Sequence, residues 1–162
     1  MKLIVAVASL GLLAAAAAAP AAGDQPTWKD CGNSSFAATV TAINVAPYPI
    51  VAGKNVTLTA TLQLHKPVKS PTYEIDGILY GAVMASHTGP ACGQDYWTLQ
   101  MDPAFQMTQT GLNCPASPGT ATIVDELSTD SYIPVSGALE LKSFANEVSG
   151  APVYCIDITV NL

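Results

Sequence analysis

The stretch K-N-V-T-L-T-A-T-L-Q-L, residues 54–64, constrains the fold more than any other part of the chain. Val56, Leu58, Ala60, Leu62 and Leu64 are apolar, and Thr57, Thr59, Thr61 and Gln63 stand between them. A period of two puts the first set on one side of an extended strand and the second set on the other. On a helix the same residues would spread around the axis and form no single dry face. A strand with one dry side needs a second layer to cover it and neighbouring strands to satisfy its backbone groups.

The chain ends on the same pattern. Tyr154, Ile156, Ile158, Val160 and Leu162 alternate with Cys155, Asp157, Thr159 and Asn161. Further strands are expected at 36–45, closed by P-Y-P at 47–49, and at 138–144, with a weaker one at 120–127. Residues 73–84 read as one strand or as two broken at Gly77 or Gly81. Turn residues at 52–53, 66–67, 70–71, 118–119 and 149–152 separate these segments. There is no long amphipathic helix period and no internal repeat. Only 11% of residues are charged, and the abundance of Thr, Ser, Ala and Val suits strands better than helices. The expected fold is therefore all-β, a sandwich of two antiparallel sheets with about seven strands. The least regular stretch is 93–113, where Tyr96, Trp97, Met101, Phe105 and Met107 sit in a polar background. A structureless loop of that length is rare in a compact domain, so a short helix or an ordered flap is expected there.

The first residues, M-K-L-I-V-A-V-A-S-L-G-L-L followed by alanines 14–19, have the form of a secretory signal peptide. Cleavage is expected within 19–23, leaving residues 24–162 as one domain. All six basic residues are lysines; Lys2 leaves with the leader, so five lysines face twelve carboxylates. A surface so acidic excludes nucleic acid, whose phosphates require a positive face. The cysteines are Cys31, Cys92, Cys114 and Cys155. An even count on the secretory route reads as two disulfides, with three pairings open. Joining Cys31 to Cys155 would close nearly the whole domain for roughly 4.7 kcal/mol or more, and a local loop about 3 kcal/mol, which does not choose among them. Asn33-Ser34-Ser35 and Asn55-Val56-Thr57 are glycosylation acceptors on the same route.

Four motifs in order, K-D-C-G at 29–32, D-G-I-L-Y-G at 76–81, N-C-P at 113–115 and Y-C-I-D-I at 154–158, resemble the ML lipid-recognition family. That family includes sterol carriers and phosphatidylglycerol/phosphatidylinositol transfer proteins. The resemblance covers the chain from Lys29 to its end. It implies an immunoglobulin-like sandwich with a lipid cavity between splayed sheets, and pairing of Cys31 with Cys155 and of Cys92 with Cys114. It also implies that residues 76–84 line or rim the pocket. Tyr48 stands where the sterol branch has a cysteine, and the four-cysteine pattern is closer to the phospholipid-transfer branch. Ser86 falls near an aromatic pocket position of the sterol branch, and the gap between the middle cysteines is longer than the family usually has.

Within such a sandwich the expected lipid-lining residues are Leu58, Leu62, Leu64, Ile78, Leu79, Tyr80, Val83, Met84, Ile133, Val135, Leu139, Leu141 and Ile156. The same residues could equally form a solid core. Each methylene a lipid buries in a dry slot is worth about 0.8 kcal/mol. The implied partners are a sterol or phospholipid and, transiently, membranes, with the protein a monomer and no cofactor required. The alternative is an immunoglobulin-like module that binds proteins or presents lipid without transferring it. Catalysis is not expected. His65 and His87 lie in no metal-binding spacing, no G-x-S-x-G elbow occurs, and paired cysteines leave no thiol nucleophile. The acidic neighbours Asp125 and Glu126 would point to opposite faces of a strand.

Overall fold

The computed structural model describes residues 25–51, 53–98, 106–128 and 137–161. The leader and its cleavage window, together with Met101, Phe105, Ile133, Val135 and Leu162, lie outside them. Among the described residues every regular element is a strand: β1 (Thr27–Asp30), β2 (Ala38–Ala46), β3 (Val56–Leu64), β4 (Pro71–Leu79), β5 (Ala82–Pro90), β6 (Gln94–Thr98), β7 (Gln106–Thr110), β8 (Gly119–Ser128), β9 (Ala138–Glu147) and β10 (Pro152–Asn161). They form two antiparallel five-stranded sheets, in the orders β1-β10-β9-β4-β5 and β2-β3-β8-β7-β6. This is the two-sheet sandwich expected of the alternation, with dry faces inward, and it is immunoglobulin-like as the family resemblance implies.

The ten strands exceed the about seven expected. Part of the excess comes from the stretch between the middle cysteines. It holds neither a helix nor a flap in its described part but two paired strands, β6 and β7. Residues 73–84 divide at Tyr80-Gly81, both at positive φ (52° and 77°), the two-residue hairpin geometry whose twist matches the flanking strands. Gly77 does not break β4; it marks a bulge in the pairing with β5. The short β1 adds an edge to β10.

β3 is the clearest match of pattern to packing. Val56, Leu58, Ala60, Leu62 and Leu64 are buried, and the threonines and Gln63 between them are only partly covered. Opposite them lie Tyr73 and Ile75 of β4 and Tyr154, Ile156, Ile158 and Val160 of β10. Full burial of a Leu or Ile side chain is worth about 1.5–3 kcal/mol, so this inter-sheet layer dominates the fold's stability.

Most ties beyond the ladders gather at the end of the sandwich that carries Ala38, Leu64, Pro71 and Pro152. Ala37 N donates to Pro152 O at 3.0 Å, and Val68 and Ala116 exchange backbone bonds at 2.9 and 2.8 Å. The Glu147 carboxylate accepts from Lys69 N and Ser70 N, and Phe36 meets Phe144 edge to face. Disulfides join Cys31 to Cys155 and Cys92 to Cys114, the pairing that the family resemblance implies. Asp30 stitches β1 to β2 by accepting from Gly32 N and Val40 N. At the opposite end lie the β2–β3 and β4–β5 connections, where Asn161 N donates to the Tyr48 hydroxyl at 3.3 Å.

Candidate functional site

Between the sheets lies a cavity of about 20 Å³, the size of one water molecule. β3 supplies Leu58 and Ala60, β4 Ile75, β7 Gln109, β8 Ile123 and Asp125, β9 Leu141 and Ser143, and β10 Tyr154, Ile156 and Ile158. Strand alternation delivers each of them. Leu58 pairs with Asp125 across β3–β8, and Asp125 with Gln109 across β8–β7, so three strands of one sheet aim a side chain at the same place. Ile75 and Ser143 pair across β4–β9 and do the same from the opposite sheet.

The walls are aliphatic, yet the cavity holds a polar cluster. Gln109 is 3% exposed, Asp125 8% and Tyr154 1%. Burial pushes the Asp125 carboxyl up to about 6, against the lowering effect of a hydrogen bond from Gln109. Burial also pushes the Tyr154 hydroxyl well above the usual phenol range, and the Asp125 charge across the gap adds to the rise. Among the described residues, Gln109 Oε1, Asp125 Oδ1 and the Tyr154 hydroxyl find no hydrogen-bond partner. Ser143 leans toward Tyr154 without completing a hydrogen bond.

A second polar group closes the seam where β5 of one sheet meets β6 of the other. Asp95 Oδ2 accepts from the Tyr73 hydroxyl at 2.9 Å and meets His87 Nε2 at 2.7 Å, while Oδ1 accepts from Tyr96 N. The His87 ring stacks on Trp97 with centroids 4.6 Å apart. Burial pushes Asp95 up, but the hydrogen bonds from His87 and Tyr73 and the His87 charge outweigh it and hold the carboxyl below its ordinary value. Among the described residues no cluster of three or more His, Cys, Asp or Glu could hold a metal.

The residues expected to line a lipid slot divide into groups. Leu58, Leu141 and Ile156 line the cavity. Leu62, Leu64 and Leu79 are buried away from it, and Ile78 and Leu139 are half-buried. Tyr80 (77% exposed), Val83 and Met84 are exposed around the β4–β5 hairpin, at the end of the sandwich opposite the disulfides. Ile133 and Val135 lie outside the described residues. Sequence reasoning missed Ala60, Ile75, Ile123 and Ile158 as lining residues, although their inward phase was readable from the period of their strands. It also missed Gln109, Asp125 and Ser143, for which the pattern held no signal, since a polar residue reads as wet, and Tyr154, although the period of β10 had placed it on the dry side. Asn33 and Asn55 are exposed on the surface.

Comparison with known proteins identifies the class. The family model described as the ML domain matches residues 25–162, and the chain belongs to that family. No curated protein sequence matches it significantly. Among solved structures, a Niemann-Pick type C2 protein from Japanese carpenter ant is similar at 14% identity with a TM-score of 0.56, covering 83% of this chain and 98% of that one. Chicken MD-1 complexed with lipid IVa is similar at 17% identity with a TM-score of 0.48, covering 85% and 98%. By its family the chain is a lipid-recognition sandwich, and its two disulfides fit an oxidising setting, outside the cell or in a lumen.

Proposed function

We propose that the protein carries a sterol or a phospholipid such as phosphatidylglycerol or phosphatidylinositol between membranes by passive exchange. It would be secreted through the leader at 1–23 and act as a monomer. The observation that carries the reading is the ML-domain match over residues 25–162. An inter-sheet cavity walled by Leu58, Ile123, Leu141, Ile156 and Ile158 supports it.

The placement of both disulfides at one end of the sandwich supports a route for entry at the other. Two disulfides and the Val68–Ala116 and Ala37–Pro152 contacts hold one end, so the sheets can part at the other. There the half-buried Ile78 and Leu139 and the exposed Tyr80, Val83 and Met84 would meet a lipid first. Acyl chains or a sterol body would then spread the aliphatic walls, each buried methylene contributing about 0.8 kcal/mol. No catalytic step and no cofactor enter this mechanism. Glycans on Asn33 and Asn55 would sit on exposed surface, clear of the cavity.

One observation favours a second reading. The inter-sheet cavity that the described residues enclose, about 20 Å³, is far smaller than any lipid, as it would be in a module that binds a protein or presents lipid with its sheets held together. Mass spectrometry of lipids extracted from the gently purified protein decides between them. A stoichiometric sterol or phospholipid supports the carrier and names its cargo. An empty protein that takes up neither fluorescent sterol nor phosphatidylinositol refutes it.

A further inference from the structure

Among the described residues three buried side-chain oxygens lack a hydrogen-bond partner, and they are Gln109 Oε1, Asp125 Oδ1 and the Tyr154 hydroxyl. All three belong to residues that line the same inter-sheet cavity. Each such atom costs about 1–3 kcal/mol when left unpaired, and scattered orphans would call for three separate accounts. Here they converge from opposite sheets, Gln109 and Asp125 as cross-strand partners on β7 and β8, and Tyr154 from β10.

The hydrogen-bonding capacity of the three atoms defines what would complete them. Gln109 Oε1 can only accept, Asp125 Oδ1 accepts when ionised, and the Tyr154 oxygen has a lone pair to offer. Together they present three acceptor positions and one negative charge. A hydroxyl carries a single donor, a water two and no charge, and a carboxylate would add a second negative charge. A primary ammonium has three donors and one positive charge in the volume of a single heavy-atom group. Among the described residues the chain supplies no such group itself. It has no arginine, and every described lysine is exposed.

We propose that Gln109, Asp125 and Tyr154 bind the primary ammonium head of an amphiphilic amine, inserted head first between the sheets with its apolar body against Leu58, Ile123 and Leu141. The inference rests on the proposed carrier reading, because the sheets must part to admit the body. The cavity of about 20 Å³ then holds the head alone. An ammonium there would keep Asp125 ionised against the burial that raises its pKa.

The test is calorimetric titration of the intact mature protein with decylamine, decanol and decanoic acid at neutral pH, in low and in high salt. The amine is expected to bind at least about tenfold more tightly than the alcohol, the lower end of what a charge-assisted hydrogen bond contributes, with the acid weakest. High salt should leave that order standing, because a buried pair is poorly screened. Asp125→Asn should bring the amine down to the alcohol, and Glu74→Gln, which removes an exposed carboxylate from β4, should not. The proposal is overturned if the alcohol or acid equals the amine, if salt abolishes the preference, or if Glu74→Gln erases it as fully as Asp125→Asn. If none of the three binds but phosphatidylinositol does, the carrier reading stands and this one falls. If no lipid of any kind binds, both fall.

Discussion

Replacing Asp125 by asparagine should stabilise the protein at neutral pH and leave its stability in acid unchanged. In the folded chain burial raises this carboxyl from 3.8 to about 6. A group whose folded pKa lies above its unfolded value holds its proton more tightly in the native state. Stability therefore falls as pH rises through the interval between the two values and stays reduced above it. Over an interval of that width the loss amounts to about 3 kcal/mol at neutral pH. Asparagine keeps nearly the same shape. Its Oδ1 can go on accepting from Gln109, and its Nδ2 takes the place of Asp125 Oδ1, where it can donate to Tyr154. The charge and its desolvation disappear. For a domain of this size about 3 kcal/mol corresponds to a rise of about 10 °C in Tm. Urea denaturation of both proteins at pH 7 and near pH 4, with m values compared, measures the effect. A variant no more stable than wild type at pH 7 would refute the reasoning, as would one whose advantage is the same at both pH values.

Replacing Cys31 and Cys155 together by alanine should cost about 4–5 kcal/mol, since their link closes a separation of 124 residues; denaturation under non-reducing conditions measures it. Gly111→Ala should destabilise severely, because a Cβ there would fall on the Ala91 carbonyl, a backbone atom that cannot swing away; thermal melting and the yield of intact Cys92–Cys114 disulfide report it. Asp95→Asn should weaken the β5–β6 seam at neutral pH. The folded Asp95 pKa is depressed, so its contribution is present above the unfolded value of 3.8 and lost as pH falls through the lower folded value. The gap between wild type and variant should therefore close in strong acid, and a gap that persists there would count against the seam's electrostatic role.

The sandwich was legible wherever apolar letters followed the strand period, and β3 and β10 are the cases in point. It was illegible where a polar side chain takes an inward position. In β7, Q-M-T-Q-T, only Met107 announces a dry face, because Gln109 occupies the next inward position and reads as solvent-facing. β8 has the same defect. Ala121, Ile123, Asp125 and Leu127 share the inward phase, and the aspartate interrupts it. β8 is expected only weakly from the sequence and β7, like β1 and β6, not at all, and the irregular letters of β7 and β8 are the ones that meet in the cavity. The converse error fell at β5, an edge strand, where Val83 and Met84 are apolar yet exposed. Composition does not reveal whether an edge has a neighbour. The choice among three disulfide pairings rested on family resemblance, since loop-closure entropy barely separates them.

A carrier must bind its cargo and also give it up, and the placement of strong and weak contacts bears on both. Opening along the β5–β6 seam would break the Tyr73–Asp95–His87 bonds and unstack His87 from Trp97. Opening at the disulfide-bearing end would tear backbone bonds around Val68 and Ala37. Opening at the β4–β5 hairpin end disturbs the Tyr48–Asn161 bond, an interaction of Tyr80, and side chains that are already half-exposed. The unpaired oxygens of Gln109, Asp125 and Tyr154 weaken the closed state from inside. Each stands to gain about 1–3 kcal/mol on meeting a partner, an increment that offsets the separation of the aliphatic walls. A core made wholly of leucine and isoleucine would close more firmly and resist that separation. In this chain the residues that make the interior less stable are those that would favour its occupation.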